Sequence, residues 1–164
     1  MLRHRPVLHS AFCVLASAFA LGCSCRSTSR PSPLARPTPP RFTLPTVELR
    51  IKGSRIGAEV ARFAPELTQG LMYRRSLAPD SGMLFVFQQP ETLRFWMKNT
   101  YIPLSIAYID SKAVITDILE MAPLDTTTPY LASRAALYAL EMNPGWFETH
   151  TIKPGDTILG IPGH

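Results

Sequence analysis

The chain has 164 residues with 17 Lys+Arg, 12 Asp+Glu and three Cys, a length that suits one domain of ordinary size. With 46% apolar and 18% charged residues it is globular in composition rather than disordered. Six of the basic residues, none of the acidic ones and all three cysteines fall in residues 1–41. The other 11 basic and 12 acidic residues give the remainder one net negative charge, which speaks against a basic nucleic-acid-binding domain.

Met1–His9 carries Arg3 and Arg5, and the eleven residues Ala11–Leu21 are apolar and uncharged. As a helix they would span about 17 Å, against a hydrocarbon core of about 30 Å, too short for a permanent membrane span. The order of charge and then apolar run is that of a secretory signal over residues 1–22. Phe19-Ala20-Leu21-Gly22-Cys23 resembles the lipobox of bacterial lipoproteins, in which the cysteine is acylated and becomes the mature N-terminus. The alternative is a plain signal cut near Gly22, which leaves Cys23 and Cys25 as a pair. Acylated Cys23 would be a durable anchor, because two or more chains hold a protein to a bilayer where one does so marginally. The expected location is therefore the cell envelope, as an exported lipoprotein on the periplasmic or surface face.

Residues 23–45 read as the anchor cysteine and a tether. Pro recurs at 31, 33, 37, 39, 40 and 45 among Ser, Thr and Arg, without apolar periodicity. Such a stretch cannot bury enough surface to offset its ordering entropy. Extended at about 3.1 Å per residue it would reach about 70 Å at most, a spacer whose four arginines add attraction to anionic head groups.

A β domain is expected over residues 46–164. Val47, Leu49 and Ile51 alternate with polar residues, Lys52-Gly53-Ser54 reads as a turn, and Ile56, Ala58 and Val60 resume the alternation. Ala64-Pro65-Glu66 starts a helix expected to run to Met72, with Pro in the first turn and a carboxylate at the positive end. Short strands follow at Met83–Phe87, Leu93–Met97, Leu104–Asp110, Ala113–Met121, Leu137–Asn143 and Asp156–Ile161, most of them separated by Pro, Asn or Gly turns. Many short strands with one early helix predict a mainly β fold, an antiparallel sandwich of jelly-roll type.

Gly70-Leu71-Met72-Tyr73-Arg74, Gly82-Met83-Leu84-Phe85-Val86-Phe87 and Phe95-Trp96-Met97-Lys98-Asn99-Thr100 form an unusual series. With Leu140-Glu141-Met142 and Gly145 near the end, it resembles the bacterial and archaeal family called domain of unknown function 192. The resemblance spans roughly Val47–Ile161 and implies a compact β-sandwich. It carries no established activity. The family usually has Asp in its LDIA strand, where this chain has Ser105.

Residue chemistry narrows the function further. The domain has no Cys, and its histidines are His150 and His164, so neither a metal centre nor a thiol nucleophile is expected, nor any cofactor. No phosphate-binding glycine loop is present. What remains is a polar set beside aromatics: Arg74, Trp96, Lys98, Asn99, Thr100 and Glu141. In one reading they line a pocket in which Arg74 and Lys98 hold an anionic or hydroxylated ligand and Trp96 stacks on it. In the other they are structural: Asn99 takes a turn conformation, Trp96 is buried for packing, and Arg74 or Lys98 pairs with buried Glu141. A structural pair predicts that Glu141→Gln costs a few kcal/mol, because a buried cation loses its partner. Phe85, Phe87, Tyr101 and Tyr108 offer a weaker carbohydrate platform, with Phe85 and Phe87 expected in the core. The favoured function is a non-catalytic, membrane-tethered protein that binds a small molecule, a glycan or an envelope protein. The alternative is an envelope hydrolase of a glycan or ester, which needs two carboxylates in one cleft. Absence of the family's Asp at Ser105 weakens that alternative, leaving Asp80 and Asp125 as partners for Glu141.

Overall fold

The computed structural model describes residues 42–163. The signal, Cys23 and the tether up to residue 41 lie outside the described residues. The domain is mainly β, as its alternation predicts. Eight strands and two short helices follow in the order β1 (Thr46–Ile51), β2 (Ser54–Ala61), α1 (Ala64–Gln69), β3 (Ser81–Glu91), β4 (Arg94–Phe95), β5 (Leu104–Ile109), β6 (Ile115–Met121), β7 (Tyr130–Leu131), β8 (Ala136–Met142) and α2 (Trp146–Thr149). Six strands form one open sheet in the order β1-β2-β3-β8-β5-β6, and β4 and β7 form a separate two-stranded ribbon.

The first hairpin turns on Lys52 and Gly53, both with positive φ (49° and 87°). That is the two-residue geometry whose twist matches the strands it joins. All the sheet contacts are antiparallel except β2 with β3, which run parallel with Gly57 opposite Ser81. A parallel pair needs a crossover, and α1 with the loop to residue 80 provides it. Gly70, with φ 47°, ends α1 three residues before the position predicted from the sequence. The expected strand Leu93–Met97 shrinks to the two residues of β4. Asp156–Ile161 makes single bridges, Leu159 to Arg50 and Thr157 to Val114. The four-residue α2 is an element that the sequence did not announce.

Alternation sorts the apolar residues onto two faces, and both are covered. Leu49, Ile56, Val60, Leu84, Ala107, Leu140 and Met142 face α2, whose Trp146 and Phe147 are buried with Ile152 and Ile158. Met83, Phe85, Ile106, Tyr108 and Ala139 face the opposite way, toward Leu71, Leu93, Met97, Tyr130 and Ala132 from the loops and the ribbon. Every residue of β5 and β8 is therefore buried. Gly82 fits this packing because a Cβ there would lie 2.5 Å from the Glu141 carbonyl oxygen and closer still to Met142 Sδ. Leu44, in the segment read as the end of the tether, packs against the second cluster, and the Pro45 carbonyl accepts the Val60 amide at 2.9 Å.

Candidate functional site

Glu141 lies on β8, opposite Met83 of β3 on one side and Ile106 of β5 on the other; Met83 in turn is opposite Glu59 of β2. The two glutamates thus share a face, separated by one strand and about 10 Å of backbone. Positive φ at Gly70 and Tyr73 folds the following loop back so that Arg74 meets this row. Its guanidinium grips Glu59 with both arms, Nη1 to Oε1 at 2.6 Å and Nη2 to Oε2 at 2.5 Å. Arg74 was expected on Glu141 and takes Glu59 instead, a carboxylate no local pattern singles out.

Glu141 keeps 5% of its surface exposed, and among the described residues no side chain or amide hydrogen-bonds its carboxyl. Burial pushes its pKa up to about 8, and the nearby Arg74 charge opposes that rise. At neutral pH the group is a protonated acid. The same burial, with the Glu141 charge second, drives the Tyr108 phenol far upward, and that hydroxyl donates to the Tyr130 carbonyl at 2.7 Å. A cavity of about 10 Å³ lined by Phe42, Leu44, Met72, Arg74 and Met83 adjoins the row. It has room for about one water.

Phe95 and Trp96 point to opposite sides, as strand alternation requires. Phe95 packs edge-on against Phe85 with centroids 4.9 Å apart, whereas Trp96 is 51% exposed. Lys98 is also exposed; its Nζ sits 5.1 Å from the Trp96 ring centroid, a cation–π contact rather than a bond to Glu141. Asn99 has φ 56°, the left-handed turn expected of it, and its Nδ2 donates to the Tyr73 hydroxyl at 2.8 Å. Thr100 is buried, and its carbonyl accepts the Leu124 amide. Asn99 and Thr100 therefore tie loops together, while Trp96 and Lys98 face outward.

Beside Trp96 lies a cavity of about 300 Å³, lined by Arg94, Phe95, Trp96, Thr126, Thr127, Thr128 and Pro129. Asp125 shapes its far wall. One carboxylate oxygen accepts the Thr127 amide and hydroxyl and the Thr128 amide at 2.9–3.0 Å, and the other meets the Tyr130 hydroxyl. Bonds from Thr128 and Thr127 hold this carboxyl well below the usual range. The Asp125 carbonyl accepts the Met97 amide, which fixes the loop to the segment bearing Trp96. Sequence reasoning missed Arg94 and the threonines. Their signal was the Asp-Thr-Thr-Thr-Pro run, which favours a side-chain-capped turn. Of the proposed carbohydrate platform, Phe85 and Tyr108 are buried, and Tyr101 is the exposed member.

Ser105 is opposite Met142, not Glu141, so residue 105 faces the other side of the sheet. Its hydroxyl donates to Glu120 at 2.5 Å and accepts the Gly145 amide at 2.8 Å. Asp80 accepts the Trp146 indole on that same far side. His150 stacks on Trp146 with centroids 4.1 Å apart. Neither position 105 nor Asp80 can share a cleft with Glu141. Among the described residues no three His, Cys, Asp or Glu side chains cluster as metal ligands, and no helix is long and apolar enough to cross a membrane.

Residues 47–160 match the model of domain of unknown function 192, described as "Uncharacterized ACR, COG1430". The chain belongs to this family. A solved structure from Sinorhizobium meliloti 1021, described as a candidate transcription regulator, is 32% identical with a TM-score of 0.70, over 74% of this chain and 98% of that one. A protein of unknown function from Novosphingobium aromaticivorans DSM 12444 is 34% identical with a TM-score of 0.63, over 70% and 84%. No curated protein matches.

Proposed function

We propose that this family member is a lipid-anchored envelope protein whose β domain binds a small hydroxylated or anionic ligand in the Trp96 cavity, without catalysis. The observation that carries this reading is Trp96 itself. It belongs to the Trp96–Thr100 run that marks the family resemblance, yet half its surface is exposed beside a cavity. Packing accounts for buried Met97 next to it and not for an outward indole. A volume of about 300 Å³ is at the lower end for ligand pockets.

A hydrolase finds less support, because the cavity beside Arg74 and Met83 holds only about 10 Å³ and Glu59 is neutralised by Arg74. The regulator description of the Sinorhizobium protein also transfers poorly. Among the described residues the helices have six and four residues, too short for the recognition helix of a helix-turn-helix protein.

Trp96→Ala in the full chain should leave the melting temperature within about 2 °C of wild type and abolish capture of ligand from envelope extract. Undiminished capture would place the ligand elsewhere. The anchor has its own test, by membrane fractionation. Cys23→Ala should move the protein from the membrane pellet to the soluble fraction; a variant that stays in the pellet has another means of attachment.

A further inference from the structure

We infer that the Trp96 cavity selects a pyranose that carries an anionic group, carboxylate or phosphate, with Arg94 as the residue that reads the charge. This rests on the Trp96 cavity being the ligand site. Arg94 lines it, Lys98 sits over the adjoining indole, and among the described residues neither cation has an ion pair or a side-chain hydrogen bond. The carboxylate at hand, Asp125, is already engaged by Thr127, Thr128 and Tyr130, and it braces the wall instead of neutralising the arginine. The cavity thus offers an anion the Arg94 guanidinium in its lining, with the Lys98 ammonium over the adjoining indole as a second cation. Arginine adds a planar fork that meets a carboxylate or phosphate with two parallel bonds.

The remaining lining fits a sugar ring. Phe95, Trp96 and Pro129 give apolar surface, and the Thr126 hydroxyl makes no hydrogen bond among the described residues. One face of a pyranose is a row of C–H groups, and its rim is hydroxyls. An aromatic wall opposite a hydroxyl wall suits that distribution, whereas a flat lipid surface would need no concavity.

The test uses the full chain purified in detergent, with glucuronate, glucose 6-phosphate and glucose as probes in NMR titrations. At least one anionic sugar should bind about tenfold tighter than glucose, the margin expected of one charge-assisted contact. Preference between the two anionic sugars identifies the group. Arg94→Gln should reduce that margin to about one with an unchanged melting temperature, and Trp96→Ala should remove binding of all three. Equal binding of glucose and both anions would overturn charge selection while leaving the cavity as the ligand site. So would an Arg94→Gln variant that keeps the margin. Failure of all three sugars, beside a Trp96-dependent ligand captured from extract, would overturn the sugar assignment alone. Loss of every Trp96-dependent effect would remove the cavity reading too.

Discussion

Glu141→Gln is expected to stabilise the domain, and by more at pH 8 than at pH 5. An unfolded glutamate titrates near 4.5, whereas burial raises the folded group to about 8. Between these values the folded chain holds a proton that the unfolded chain releases, so stability falls as pH rises across that window. It is full below about 4.5 and levels off above about 8. Each unit of difference corresponds to about 1.36 kcal/mol, so the cumulative loss is on the order of 5 kcal/mol. Glutamine has nearly the same shape and carries no proton to release. Urea denaturation of both proteins at pH 5, 7 and 9 should show curves that diverge upward with pH, with the glutamine variant the more stable at pH 9. The structural reading of the sequence led to the opposite expectation, because it assigned Glu141 a cationic partner that glutamine would orphan. A variant less stable than wild type at every pH would restore that pairing.

The reversal shows which part of the site could be read from sequence. Local features were legible: the Lys52-Gly53 turn, the left-handed Asn99, the opposed Phe95 and Trp96, and a glutamate buried in an apolar strand. Each follows from spacing within a few residues. Long-range neighbours were not legible. Glu59 reaches Arg74 because β2 runs parallel to β3 and β3 lies beside β8. Antiparallel hairpin logic places none of those neighbours. Likewise Thr126–Thr128 meets Trp96 because β7 pairs with β4, a two-residue ribbon too short to leave a pattern. Alternation could say that one of Phe95 and Trp96 faces out. It could not say which, since that depends on the side of the ribbon that the sheet covers.

Arg74→Met should be the most damaging single change in the row, costing about 3–4 kcal/mol. The Glu59 and Arg74 side chains are 27% and 18% exposed and joined by two short bonds, so solvent screens them less than a surface pair. Removing the cation leaves the Glu59 carboxylate uncompensated. It also removes the charge that restrains Glu141, whose titration should move above 8. Glu59→Gln acts differently, because the freed guanidinium has a second carboxyl within its electrostatic reach. Glu141 should then ionise at a lower pH and take the arginine, so the cost of Glu59→Gln should shrink between pH 5 and pH 9. The double variant Glu59→Gln/Arg74→Met leaves no orphaned charge on Glu59 and should recover part of the loss of Arg74→Met. Urea denaturation across the same pH range reads all three variants. If Arg74→Met costs under about 1 kcal/mol, the pair is an ordinary surface bridge.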